Sequence, residues 1–268
     1  MVTADEPPAT CVREQTMTSK YEMISLPFHI AWFETKVRYA RSVLGPFWIT
    51  IQTAVFVIAI GYLMAGVFGS DTATYMSYFS VSYVMWNFFS GSILESASTF
   101  TNAASFIRDR AKKPRTFILV PFARQIVYLA HTIIIPIAIF VFLGVSSPLN
   151  VLMAIPGFIL FLLATLLITG PVGVFCVRFR DGRPVIESGM TLLFLIAPIL
   201  WPPHSVKGRA QLVLDLNPLA HLLAVWREPL MNGTIPWGSF LYVIVFDLVL
   251  AALFYFSLVQ SKRVPLWL

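Results

Sequence analysis

The stretch GPFWITIQTAVFVIAIGYLMAGVF, residues 45–68, contains no charged side chain. As an α-helix, residues 45–68 would extend over roughly 36 Å at a rise of about 1.5 Å per residue. The hydrocarbon core of a bilayer is about 30 Å thick, and a helix that crosses it needs about 20 apolar residues. This stretch therefore predicts a membrane-spanning helix that begins next to Pro46.

Five further apolar runs follow, at residues 75 to about 100, about 117–143, 151–177, about 185–201 and 237–258. The run at 185–201 is short and contains Glu187 and Pro198, so its limits are the least defined. Hydrophobic residues make up 57% of the chain and charged residues 12%, against roughly 25% charged residues in a soluble domain. The predicted fold class is an all-α integral membrane protein with six transmembrane helices in residues 45–260.

The positions of Lys and Arg predict the orientation. Fifteen of the 19 lie in the terminal segments or in the loops after the second and fourth runs, whereas the loop before the last run has three, Lys207, Arg209 and Arg227. Cytoplasmic loops carry the excess of positive charge, so both termini are predicted to be cytoplasmic. Because the basic residues alternate with apolar runs instead of forming one stripe, the net charge of +6 does not indicate nucleic-acid binding.

Three segments outside the predicted spans have distinct characters. Residues 1–24 lack the apolar stretch of a secretion signal and predict a disordered cytoplasmic tail. Residues 25–44 mix aromatic and basic side chains, which is typical either of an amphipathic helix in the cytoplasmic interface or of a plain juxtamembrane anchor. Residues 261–268 form the predicted cytoplasmic C-terminus.

The loop at residues 202–236 is predicted to lie on the periplasmic side of the membrane, yet it contains the apolar stretch 216–226. This stretch is too short to cross a bilayer and too apolar for open water. We expect a re-entrant or interfacial pair of helices, which is tolerated where the backbone polar groups face protein or a water-filled cavity.

Groups that could perform chemistry are sparse in the predicted spans. They are Glu95, Glu187, Asp247 and His131. The sequence has no Gly-rich phosphate loop, no His-x-x-x-His pattern and no nucleophile elbow, and the two cysteines have no His or Cys at ligand spacing. The chain is therefore predicted to be no enzyme and to hold neither a cofactor nor a metal ion of its own.

The second run has a polar helical face, which could serve packing or line a solvated path. Its members are Ser80, Tyr83, Asn87, Ser90, Gly91 and Glu95. The loop that follows, residues 101–116, is strongly basic. These charges could set topology alone, but the stretch 102–107 also looks like the start of a surface helix, which favours a docking site for a soluble cytoplasmic partner.

Four segments in register resemble the ABC type-2 permeases that export O-antigen and related cell-surface polysaccharides. The stretch RYARSVLGPFW at 38–48 is similar to the motif before the first span of that family, in its Wzm-like branch. The loop 102–115, the Arg-Asp turn at 180–181, and residues 198–203 with Leu-Asn-Pro-Leu at 216–219 agree in order. The resemblance covers the chain from about residue 30 to its end.

The resemblance implies a homodimer of six-span subunits driven by two separate ATPase subunits, which bind the ATP and Mg²⁺. The substrate implied is a long glycan on an undecaprenyl-diphosphate carrier. The family places a coupling helix in the loop after the second span, here Asn102, Phe106, Arg108, Asp109, Arg110, Lys112 and Lys113. It places a periplasmic gate before the last span, here Asn217, Pro218, His221 and Trp226. The loop at 107–115 is more basic than the family pattern.

Aromatic rings offer flat faces to a sugar polymer without holding any one sugar tightly, which suits a conduit. The candidate channel residues are Trp48, Tyr62, Tyr83, Trp86, Asn87, Phe194 and Trp201. Arg38 and Arg41 lie where a lipid diphosphate would meet the cytoplasmic surface, and we expect them to bind it and membrane lipids. Competing functions are export of a capsular polysaccharide, a teichoic-acid-like polymer or a small amphiphile, or secondary transport, which favours paired intramembrane charges and repeats.

Overall fold

The computed structural model describes residues 25–37, 42, 44–45, 47–109, 113–143 and 147–268. Within these residues the secondary structure is helical, with no strand. Helix α1 covers the described residues 25–37. The other α-helices are α2 Phe47–Phe68, α3 Thr72–Ser96, α4 Thr99–Asn102, α5 Ala104–Arg108, α6 Val120–Thr132, α7 Ile134–Leu143, α8 Pro148–Arg178, α9 Gly182–Ile196, α10 Arg209–Leu216, α11 Pro218–Asn232 and α12 Trp237–Gln260. Three 3-10 helices lie at Pro114–Phe117, Pro203–Ser205 and Ser261–Leu266.

Four helical stretches in the described residues are long and apolar enough to cross a membrane: Phe47–Phe68, Pro114–Leu143, Pro148–Arg178 and Trp237–Leu266. They coincide with the first, third, fourth and last predicted runs. Helix α3 has 25 residues, which is long enough, but its composition is more polar. Helix α9 has 15 residues, or roughly 22 Å, which falls short of the hydrocarbon core. Six crossings remain a prediction.

Helix α3 occupies the centre of the bundle, in contact with α2, α6, α7, α8, α9 and α11. Sixteen of its 25 residues are buried. It starts at Thr72 because Asp71 caps it, accepting a hydrogen bond from the Thr74 backbone N–H at 3.0 Å. The predicted third span consists of two helices, α6 and α7, which meet at Ile133. Pro136 lies in the first turn of α7 and has no backbone N–H, so one bond of the helical hydrogen-bond ladder is missing there.

Glycines allow α8 to pack closely against both of its main neighbours, α11 and α12. Gly157 faces the backbone of α11 at Val225 and Trp226, and Gly170 faces Ser257 and Phe254 of α12. Gly233, just after α11, faces Asn150 in the first turn of α8. Helix α11 therefore runs antiparallel along the first third of α8.

The first and last described segments lie at the same end of the bundle. Helix α1 borders a cavity together with α4, α5 and the start of α6. The C-terminal 3-10 helix inserts Val264, which is fully buried, into a cluster with Phe100, Ile107 and Phe117. Both segments therefore contact the α4–α5 region, so the first and last described residues lie on the same side of the bundle.

Candidate functional site

A groove of about 380 Å³ lies between α3 and α9. It is lined by Trp86, Ser90, Leu94, Glu187, Met190, Thr191 and Phe194. The rings of Trp86 and Phe194 have centroids 5.5 Å apart, which is the separation of a favourable aromatic pair. Two residues that the sequence predicted for the channel thus come together on facing helices.

Polar groups border these rings. The Thr191 hydroxyl donates to the Glu187 carbonyl at 3.1 Å, and the Ser90 hydroxyl donates to the Asn87 carbonyl at 3.5 Å. The Glu187 carboxylate accepts from the Arg183 guanidinium at 2.8 Å, in an exposed pair one helical turn apart. Flat apolar faces next to hydroxyls and a carboxylate are the groups that a sugar ring contacts. The described residues contain no cluster of side chains able to hold a metal ion.

The other aromatic residues predicted for the channel lie away from this groove. Trp48 is 46% and Tyr62 73% exposed, both on α2. Tyr83 stacks on Phe56 of α2, with the ring centroids 4.6 Å apart. Trp201 donates its indole N–H to the Leu195 carbonyl at 3.1 Å, just beyond the end of α9.

The polar face of α3 is used for packing at its last turns. Gly91 lies against the side chain of Gln125, which donates to Glu95 at 2.9 Å. Arg124 donates to Glu95 at 2.7 Å and forms a second ion pair with Glu34 of α1. Sequence spacing indicated no paired charge here, because the three partners lie on three different helices.

The ion-paired residues Glu34, Glu95 and Arg124 also line a cavity of about 730 Å³ next to α1. Its lining is mostly apolar, and it includes two residues predicted to couple to the ATPase, Asn102 and Phe106. Phe106 is 56% exposed, and the Asn102 amide donates to the Ser98 hydroxyl at 3.4 Å. The cavity thus connects α1 with the α4–α5 segment.

The remaining predicted coupling residues are partly engaged within the chain. Arg108 donates to the Leu268 carbonyl, Asp109 ends α5, and Lys113 is exposed. The guanidinium of Arg178 lies 5.7 Å from the centre of the Trp267 ring, which further fixes the C-terminal segment. Arg110 and Lys112, like Arg38 and Arg41, lie outside the described residues.

Three of the four residues predicted for the outer gate lie where α10 meets α11. Asn217 caps α11 by accepting from the Leu219 N–H at 3.0 Å, and Pro218 is its first residue. His221 contacts the Asp215 carbonyl at 2.8 Å and stacks on Tyr242 with the ring centroids 4.1 Å apart.

Trp226 lies further along α11 and packs on Phe158 of α8, with the ring centroids 4.9 Å apart.

Sequence reasoning missed the role of Arg227, which is 1% exposed. It donates to the Ser82 hydroxyl and to the Pro198 carbonyl, each at 2.9 Å. Its guanidinium also lies 4.3 Å from the centre of the Tyr78 ring, within the range of a cation–π contact. An arginine in an otherwise apolar stretch was the available signal.

Comparison with known proteins identifies the family. The family described as ABC-2 type transporter matches residues 28–231. The chain belongs to this family. Three similar proteins are named O-antigen export system permease protein RfbA, two from Klebsiella pneumoniae and one from Myxococcus xanthus. One from Klebsiella is 26% identical over 85% of this chain and 90% of the relative. The Myxococcus protein is 23% identical over 81% of this chain and 84% of the relative.

Family membership and the apolar helices together make this ABC-2 protein a multi-pass membrane permease. The resemblance seen in four sequence segments is confirmed, including the similarity to permeases of O-antigen export.

Proposed function

We propose that this ABC-2 permease is the membrane-spanning subunit of an ATP-driven exporter for a lipid-linked O-antigen-type polysaccharide. The observation that carries the proposal is the α3–α9 groove, in which Trp86 and Phe194 present ring faces beside the Ser90 and Thr191 hydroxyls. A polymer must be released at each step, and ring faces provide contact that is repeated but weak. The names of the relatives point to the same substrate class.

The energy source in this proposal is a pair of separate ATPase subunits. The full sequence contains no Gly-rich phosphate loop, so ATP and Mg²⁺ would bind the partner. The α4–α5 segment is the proposed coupling element, and the exposed Phe106 is its most accessible apolar side chain. The C-terminal segment contacts this coupling element, because Val264 packs against its apolar residues and the Leu268 carbonyl accepts a hydrogen bond from Arg108.

The permease would act as a homodimer in the bacterial inner membrane, with both termini cytoplasmic. The distribution of Lys and Arg supports this orientation. Among the described helices, α9 has its main contacts with α3 and α8, and apolar side chains such as Leu192 and Leu195 are about 60% exposed beside the groove. A second copy placed against this face would close the path on its open side.

The segment with α10 and α11 is proposed to re-enter the membrane as the outer gate. Leu212 and Leu216 of α10 are 63% and 73% exposed, so they need lipid or a partner subunit as surroundings. Helix α8 extends over roughly 46 Å, longer than the hydrocarbon core, so its first third, which contacts α11, has room to lie at the outer interface. How deeply α10 and α11 re-enter the membrane therefore depends on the position of α8 along the membrane normal.

Arg38 and Arg41 remain the proposed contacts for the lipid diphosphate. Two arginines three positions apart share one face of a helix, and the guanidinium fork matches phosphate geometry. Helix α1 leads into them and is fixed to the bundle by the Glu34–Arg124 ion pair.

The test replaces Phe194 in a strain that lacks its own copy of the gene. Phe194→Leu keeps an apolar side chain but loses the flat face, and it should lower surface polysaccharide at least tenfold. Phe194→Tyr keeps the face and should export at the parental rate. Phe256→Leu serves as the matched control, because Phe256 is 59% exposed on α12, away from the groove. Surface polysaccharide is measured against the amount of permease in the membrane.

Parental export by Phe194→Leu would remove the groove from the path. Normal polysaccharide in the deletion strain, together with new sensitivity to a small amphiphile, would instead favour the alternative of small-molecule export.

A further inference from the structure

Helix α9 ends well before it could cross a membrane, and the chain that follows is not helical. Residues 197–201 form turns and bends, and Ala197, Pro198 and Ile199 are buried. Pro198 stops the helix, because the residue before a proline is disfavoured in the helical region, and Ala197 is extended with ψ at 148°. Added to α9, this segment would bring the fifth run to the length of a crossing.

Buried backbone carbonyls outside a helix need other hydrogen-bond donors, and most of all in a membrane. Here the donors come from side chains of α3 and α11. The Tyr75 hydroxyl donates to the Leu200 carbonyl. The Tyr78 hydroxyl lies 2.6 Å from the Pro198 carbonyl and 2.8 Å from the Trp201 carbonyl. Arg227 donates to the Pro198 carbonyl as well, at 2.9 Å.

The division of these donors explains why both Tyr78 and Arg227 are needed. A hydroxyl has one proton to donate, so Tyr78 alone cannot satisfy two carbonyls at once. Because Arg227 serves Pro198, the Tyr78 proton is available to Trp201. Loss of either side chain leaves one carbonyl of the segment without its donor, and loss of both leaves two.

A buried arginine is costly unless its charge and its N–H groups are compensated. Arg227 donates hydrogen bonds to the Ser82 hydroxyl and the Pro198 carbonyl, and its guanidinium lies over the face of the Tyr78 ring. The carboxylate of Glu228 lies 3.9 Å from its Nε. Both hydrogen bonds come from one guanidinium nitrogen, Nη1, while the planar group itself lies over the Tyr78 ring. A lysine side chain is one bond shorter, so its ammonium falls short of the Nη1 position, and it has no planar group to stack on the ring. The site therefore favours arginine over lysine.

We propose that residues 197–201 complete the fifth crossing as a non-helical segment, and that Arg227 and Tyr78 are the residues that position it. Phe194 lies one helical turn before this segment, so the same contacts fix the outer end of the α3–α9 groove. This last consequence rests on the proposed function, whereas the positioning of the segment does not.

The test measures how well the segment is protected, in full-length permease from which Cys11 and Cys176 have been removed. Ile199→Cys provides a probe at a fully buried position in the segment, and Val243→Cys provides one at a fully buried position in α12. The reaction rate of each cysteine with a water-soluble maleimide is recorded. Arg227→Lys and Tyr78→Phe should each raise the rate at position 199 at least tenfold, the double variant should raise it further, and position 243 should stay protected.

Matched controls are Arg263→Lys and Tyr255→Phe, which make the same chemical changes at exposed positions. Continued protection of position 199 in both Arg227→Lys and Tyr78→Phe would overturn the proposal. Equal loss of protection at positions 199 and 243 would also overturn it, because Arg227 would then stabilise the whole fold and not this segment. If position 199 is released but polysaccharide export is unchanged, the positioning stands and the role of the groove in export fails.

Discussion

Substitution of Gly157 by alanine tests the closest helix contact in the bundle. An added Cβ would lie inside the van der Waals envelope of the Val225 carbonyl and 3.0 Å from the Trp226 backbone nitrogen. Both neighbours are backbone atoms of α11, so no side-chain rotation can relieve the overlap. The helix itself has to move away from α8, and the buried face of α11, from Leu219 to Leu230, moves with it.

Overpacking of a core forces off-rotamer side chains and backbone shifts, which cost about 1–3 kcal/mol and occasionally more. Because the overlap at Gly157 is with backbone atoms, we expect Gly157→Ala to lie at or above the top of this range, with a loss of about 3–5 kcal/mol in the free energy of unfolding. For a chain of this size each kcal/mol lowers the melting temperature by about 2–4 °C. The expected fall in melting temperature is about 6–20 °C.

The assay is thermal unfolding of the detergent-purified permease, with two glycines as graded controls. Gly170→Ala meets the side chains of Ser257 and Phe254, which can move in part, so its effect should be smaller. In Gly66→Ala, in α2, the added Cβ meets nothing within 4 Å. This substitution should be neutral or slightly stabilising, because alanine has a higher helix propensity than glycine. A Gly157→Ala protein that melts with the parent would refute the packing of α11 on α8.

Two further predictions concern the C-terminal 3-10 helix, Ser261–Leu266, and the cap of α3. Val264→Asp places a charge in the apolar cluster that packs against α4 and α5, so we expect export to become uncoupled from ATP hydrolysis. The measurement is the amount of polysaccharide exported per ATP hydrolysed, in membranes that also contain the ATPase. Normal coupling would show that the C-terminal segment has no part in it. Hydrogen bonds from the Thr74 backbone and hydroxyl hold the pKa of Asp71 below its ordinary value, so its cap is present at neutral pH and is lost as the pH falls through that lowered pKa. Melting curves at acid and neutral pH should then differ more for the parent than for Asp71→Ala, and equal differences would contradict this.

The long apolar runs made the long helices predictable. Helices α2, α8 and α12 lie where the sequence predicted spans, because a run of more than 20 apolar residues has few other stable conformations. The short helix α5 was also anticipated, because it covers most of the stretch 102–107 that looked like the start of a surface helix, whereas α4 was not. Local composition is sufficient in both cases.

Contacts between distant residues were not predictable in this way. Arg227 was counted among the positive charges of an outer loop, yet it is buried against α3, because a count of charges carries no information on burial. The ion pairs of Arg124 join α1, α3 and α6. Of the seven residues proposed for the channel, the structure brings Trp86 and Phe194 together in one groove, which no spacing in the sequence could select.

The polarity of α3 conceals its role at the centre of the bundle. Its serines raise the polar content, but each hydroxyl donates to a carbonyl of its own helix, which removes most of their need for water. At Ser77, Ser82, Ser92 and Ser96 these bonds are 2.6–2.8 Å long. A helix of this kind can be buried among apolar neighbours although six of its 25 residues are serine.

Ser90 is the exception on this helix, and it is the serine that lines the groove. Its bond to the Asn87 carbonyl is 3.5 Å long, at the limit of a hydrogen bond. A donor held this weakly loses little when it turns to another acceptor, whereas the serines on the packed faces would each give up a short bond. Ser90 is therefore the serine of α3 whose hydroxyl can most readily turn to another acceptor, and it lines the same groove as Trp86 and Glu187, which is the path proposed for the polysaccharide.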